Sequence, residues 1–104
     1  MKRGDVWLAS LPAPMGRRPV VLLSRDEAYH VRTSVTAALI TTTIRTIQTE
    51  VSLTPEEGLA KRCVINLDDL LTVRRARLER FITHLSMEKI EQVDRALKFA
   101  LALR

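Results

Sequence analysis

One cysteine, Cys63, is all the thiol this 104-residue sequence contains. A lone cysteine forms no intrachain disulfide, which points to a reducing compartment. It sits within Arg62-Cys63-Val64-Ile65 and reads as a small buried apolar residue rather than a reactive thiol. With three glycines in the whole chain, there is no glycine-rich phosphate loop. His30 and His84 are far apart, and neither a His-x-x-x-His nor a Cys-x-x-Cys spacing occurs, so no metal site or other cofactor is expected. Two isolated histidines also give no basis for a Ser-His-Asp triad. No apolar run approaches the ~18 residues of a membrane span, and Met1-Lys2-Arg3-Gly4-Asp5 lacks the apolar block of a signal peptide. These absences predict a cytoplasmic protein that does not enter membranes.

What is present is an ordinary globular balance, 46% hydrophobic and 28% charged, consistent with a single domain over residues 1–104. The formal charge is +5, and 13 of the 17 basic residues are arginine. A guanidinium fork matches phosphate oxygens better than an ammonium does. The balance therefore favours polyanionic partners, either nucleic acid or an acidic protein.

The pattern runs from short strands to one terminal helix. Asp5 to Leu11 reads as a strand apolar on both faces, with Trp7 a core or interface residue. Pro12 to Gly16 is a loop, Arg17-Arg18 end it, and Pro19 to Leu23 form the second strand. Ser24 is placed to cap a short helical turn. The β-branched stretch Ser34 to Thr41 is a central strand whose end carries the hydroxyls of Thr41, Thr42 and Thr43. Glu50–Leu53, Cys63–Leu67 and Leu70–Val73 are further strands, the last two separated by Asp68-Asp69. Pro55 opens a brief turn that Gly58 closes. Arg74 to Leu78 reads as a helical turn, and Phe81 to Leu85 as a last strand. Ser86 caps a helix of about five turns, at ~3.6 residues each, with the stripe Met87, Ile90, Val93, Leu97 and Leu101. The fold class is α+β, a small antiparallel barrel with a long C-terminal helix.

The candidate chemistry is arginine, hydroxyl and carboxylate at strand ends. Arg18, held by Pro19, is placed to meet a phosphate, with Thr41 and Asp68 arriving from later strands. Cleavage of RNA through its own 2′-hydroxyl needs a proton acceptor, a donor to the 5′-oxygen and positive charge on the phosphorane. Permanently charged arginine suits the last of these roles, threonine can orient the phosphate, and a carboxylate can take the proton. By pattern alone, the same residues also read as solvated loop charges and strand-forming threonines.

Arg3-Gly4-Asp5-Val6-Trp7, Arg18-Pro19-Val20-Val21, Ile40-Thr41, Leu78 to Leu85 and Ser86 to Leu103 follow one another in an order that resembles the MazF/PemK (Kid) toxin family. The resemblance implies an SH3-like barrel with a C-terminal helix and a homodimer. It implies a metal-independent, sequence-selective endoribonuclease toxin of a toxin–antitoxin pair, leaving 2′,3′-cyclic phosphate and 5′-hydroxyl ends on single-stranded RNA. A cognate antitoxin with an acidic tail is the second partner. The positions that match are Arg18 and Thr41 as catalytic residues, and Asp68 as the acidic position proposed as a base in some members. Arg17, Thr42, Thr43, Arg45 and Asp69 are the expected RNA contacts. Two departures stand out. The polar loop expected before Arg-Pro is reduced to Pro14-Met15-Gly16-Arg17, and the expected Gln-x-Arg is Asp69-Leu70-Leu71. These departures leave room for an inactive RNA- or antitoxin-binding relative. A CcdB-like gyrase poison on the same fold fits less well, since that family ends Trp-Gly-Ile and this chain ends Ala102-Leu103-Arg104.

Overall fold

The computed structural model describes residues 1–104. Six antiparallel strands form one curled sheet: β1 (Asp5–Leu11), β2 (Gly16–Leu22), β3 (Ser34–Thr41), β4 (Glu50–Leu53), β5 (Cys63–Arg74) and β6 (Leu78–His84). The spatial order is β4-β5-β3-β2-β1-β6, so β3 lies inside the sheet as its β-branched composition predicts. A short helix α1 (Ala28–Val31) joins β2 to β3, and α2 (Met87–Ala100) ends the chain. No helix is long and apolar enough to cross a membrane.

Strand alternation divides the core in two. One cluster contains Val21, Ala38, Ile40, Leu53, Ile65 and Leu67, and α2 covers it with Val93 and Ala96. The other contains Val20, Leu22, Val35, Ala37 and Val73, with Tyr29 of α1 packed on it. Leu22, Leu53, Ile65 and Leu67 are fully buried, each contributing about 1.5–3 kcal/mol.

The expected elements form, with shifted limits. β2 begins at Gly16, not Pro19, because Leu11↔Gly16 and Ser10↔Arg17 continue the ladder to β1. The ladder to β3 starts only after Pro19, at Val20↔Leu39. Ser24 is not a helix cap: its hydroxyl accepts the Thr36 N–H at 2.8 Å, and Glu27 occupies the N-cap position. Residues 63–74 are one strand. The Asp68-Asp69 interruption is a bulge in it, since Leu39↔Asn66 and Ala38↔Leu70 leave three residues on β5 unopposed. β6 starts at Leu78 through its pairing with Ala9. Pro55–Glu57 and Arg75–Arg77 form the two short 3-10 turns.

Ser86 caps α2 as expected, its Oγ accepting the Lys89 N–H at 3.1 Å. The buried stripe is narrower than the apolar periodicity. Val93 and Ala96 are buried and Ile90 and Leu97 partly so, whereas Met87 is 78% and Leu101 50% exposed. The helix packs on β4 and β5.

The Arg3-Gly4-Asp5-Val6-Trp7 segment ties the sheet to α2. Arg3 Nη2 meets Asp94 at 2.8 Å and its Nε donates to the Leu23 carbonyl at 3.0 Å. Buried Asp5 accepts from the Lys2 N–H and Trp7 Nε1 and lies 2.7 Å from His84 Nδ1. Trp7 packs edge-on against Phe81, with ring centroids 6.0 Å apart.

Candidate functional site

Alternation places Arg18 on the same sheet face as Val20 and Leu22, and Thr41 on the same face as Ala37 and Leu39. The β2–β3 ladder ends at Val20↔Leu39, and Arg18 and Thr41 lie just beyond it on their two strands. The two residues singled out as catalytic line one cleft at the common end of β2 and β3.

A cleft of about 460 Å³ opens there. Arg17, Arg18, Thr41, Thr42 and Lys61 line it, over an apolar floor that includes Ile40 and Cys63. Arg18 is half-buried and has neither a hydrogen bond nor an ion pair to a protein acceptor. Arg17 is more exposed, and its guanidinium meets Glu79 at 2.8 Å. Thr41 Oγ1 accepts the Thr43 N–H at 3.1 Å, which leaves its own proton free to donate. Burial pushes the Cys63 thiol above its usual range, and the Glu57 carboxylate adds to this, so Cys63 is an inert floor residue.

Lys61 was not among the sequence candidates. The signal for it is the Lys61-Arg62 pair immediately before β5, where Val64 pairs with Thr41. Arg17, Arg18 and Lys61 thus line one cleft with Thr41 and Thr42, and a cationic lining of this kind can stabilise a dianionic phosphorane.

The remaining candidates lie outside the cleft lining. Arg45 is exposed in the loop after β3, and its backbone N–H donates to both Glu50 carboxylate oxygens, at 3.0 and 3.2 Å. Thr43 contributes a backbone contact. Asp68 and Asp69 are exposed on the β5 bulge, level with Ala38 and Leu39. That is two to three residues along β3 from Thr41, or about 7–10 Å. A larger cavity of about 580 Å³ lies at the start of α2, but Glu56, Glu57 and Glu88 line it, and their charge opposes anion binding.

A small curled antiparallel sheet and a C-terminal helix define a half-barrel with a cationic cleft at one end. The sequence profile described as PemK-like, MazF-like toxin of type II toxin-antitoxin system matches residues 2–101. A Mycobacterium tuberculosis protein named probable endoribonuclease MazF2 is 33% identical over 99 residues, covering 94% of this chain and 95% of its own. The solved structure of Mycobacterium tuberculosis toxin MazF-mt6 superposes with a TM-score of 0.89 at 31% identity, over 96% of this chain and 98% of that one. A mycobacterial endoribonuclease in complex with its cognate antitoxin gives 0.89 at 26% identity, over 100% and 97% of the two chains. The chain belongs to the family of PemK-like, MazF-like toxins of type II toxin-antitoxin systems.

Proposed function

We propose that this protein is the endoribonuclease toxin of a toxin–antitoxin pair, cleaving single-stranded RNA sequence-selectively and without a metal ion. The observation that carries the reading is the unpaired Arg18 guanidinium sharing an open cationic cleft with Thr41. The family membership and the endoribonuclease named among its relatives support it.

In this mechanism the scissile phosphate lies against Arg18, with Arg17 and Lys61 flanking it and Thr41 donating to a non-bridging oxygen. The Asp68 carboxylate takes the proton of the 2′-hydroxyl. The 2′-oxygen bonds to phosphorus, the bond from phosphorus to the 5′-oxygen breaks, and that oxygen is protonated from solvent. The products carry a 2′,3′-cyclic phosphate and a 5′-hydroxyl. The nucleophile belongs to the substrate, so no metal-generated hydroxide is required. Charge stabilisation in the cleft supplies the largest share of the rate. Thr42, Thr43 and Arg45 contact the strand beyond the scissile phosphate. The working form is a cytoplasmic homodimer of single-domain subunits, and an acidic antitoxin segment competes for the same positive surface.

The test is incubation of purified protein with a long RNA in chelator, followed by mapping of the ends. Cyclic phosphate termini that disappear with Arg18→Ala, but persist with Arg104→Ala, are expected. RNA carrying a 2′-deoxy residue at the cut position should resist cleavage. Intact RNA after incubation with the folded wild type would sink the reading.

A further inference from the structure

Asn66 is a buried polar residue within β5, only 5% exposed, at the last ladder pair before the bulge. It lies opposite Leu39 on one side and Glu50 on the other. A buried amide without partners costs ~1–3 kcal/mol, so what it bonds to matters. Both ends of the Asn66 amide are used on the bulge. Oδ1 accepts the Asp68 backbone N–H at 2.9 Å, and Nδ2 donates to Asp69 Oδ2 at 3.0 Å. The amide can satisfy both contacts in only one orientation, because a backbone N–H needs an acceptor and a carboxylate needs a donor.

This bonding makes the two aspartates unequal. The Asp69 carboxylate is tied to Asn66. The Asp68 carboxylate is exposed, with no protein hydrogen bond or ion pair, while its backbone is pinned. We infer that Asn66 is a positioning residue that holds the Leu67–Asp69 bulge so that Asp68, and not Asp69, presents the free carboxylate to substrate. The inference rests on the reading of Asp68 as the base. A general base must lie within hydrogen-bond reach of its proton, and a displacement of about 1 Å costs on the order of 100-fold in rate. Asn66 therefore acts on kcat and leaves RNA affinity alone. Asp69 is part of the anchor.

A donor–acceptor exchange tests this. Asn66→Asp keeps an acceptor for the Asp68 N–H but sets two carboxylates against each other, and kcat on a defined oligoribonucleotide should fall about tenfold or more with KM within about twofold. Adding Asp69→Asn restores the pair with its roles exchanged, and kcat should return to within about threefold of wild type. Failure of the exchange to restore kcat overturns the proposal, as does a single variant that keeps wild-type kcat. Asp68→Asn separates the two ideas. If it is inactive while Asn66→Asp is fully active, only the positioning role falls. If it is fully active, the assignment of the base falls and the positioning role falls with it. Assays are run where urea unfolding shows every variant folded. Amide exchange at Asp68 reads the contact without turnover: it should speed up about tenfold in Asn66→Ala and stay slow in the exchanged pair. Unchanged exchange in Asn66→Ala overturns the proposal.

Discussion

The entry to β1 and the entry to β2 use the same residue types in opposite ways. Each has a glycine at positive φ beside arginine: Gly4 at +91° after Arg3, and Gly16 at +66° before Arg17-Arg18. At the first, the Arg3 and Asp5 side chains are both paired. Arg3 reaches Asp94 and the Leu23 carbonyl, Asp5 gathers Lys2, Trp7 and His84, and a Cβ on Gly4 would meet Ile90 at 2.8 Å. At the second, a Cβ on Gly16 would meet nothing within 4 Å, and although Arg17 meets Glu79, the Arg18 guanidinium has no protein acceptor. A paired, packed arginine is spent on the fold, whereas an unpaired one at a cleft keeps its charge available for a ligand. Both segments contribute to the family resemblance, and the structure separates their roles.

Substitutions should divide along the same line. The largest effect is expected at Arg18→Ala, where RNA cleavage falls about 100- to 1,000-fold while stability in urea changes by less than about 0.5 kcal/mol. A matching loss of stability would erase the contrast. Asp5→Ala strands the donors that Asp5 satisfies and should cost about 2–3 kcal/mol in urea unfolding, with cleavage by the folded protein retained. Gly4→Ala forces a positive φ on a side chain that also crowds Ile90, at about 1–2 kcal/mol. Gly16→Ala meets only the backbone penalty and should cost less than Gly4→Ala in the same assay. Equal costs would mean that the packing at Gly4 contributes nothing.

The smallest expected effect is a pH dependence at Tyr29, which lies near the first segment and feels the charges of Arg3 and Asp5. Burial, with Asp26 adding to it, pushes Tyr29 up to about 12, and its hydroxyl donates to the Ser24 carbonyl at 2.9 Å. The raised value means that the folded state favours the neutral phenol. The stabilisation is therefore complete below the unfolded value near pH 10 and is lost as pH rises from there through about 12. Urea midpoints measured between pH 9 and 12 should fall less steeply in Tyr29→Phe than in wild type.

Much of this was legible in the chain. Ser34 to Thr41 announced a central strand by its β-branched side chains, Pro55 and Gly58 bracketed a turn, and Ser86 marked the start of α2. Boundaries were read less well where pairing overrides local signals. Pro19 suggested a strand start, but the β1 ladder carries β2 back to Gly16. Met87 and Leu101 share the apolar period of α2 yet remain exposed, because a helix buries only the length its sheet can cover. In the cleft, Arg18 and Thr41 are legible from their strand-end positions, while Lys61 gives only the weak signal of a basic pair before a strand.

The sequence by itself determined the elements, their order, the positive charge and the residue types available for chemistry. Caps, turns and hydrophobic periods act over a few neighbouring residues and need no knowledge of the rest of the chain. Only the tertiary structure decided that Arg18 shares a cleft with Thr41, that Arg3 is consumed by Asp94, and that Asn66 ties Asp69 but leaves Asp68 free. Those outcomes depend on register between strands, and register is set by contacts spread over the whole sheet. Shifting it by one residue turns every side chain to the other face, and no local pattern in β2 or β5 records which register prevails.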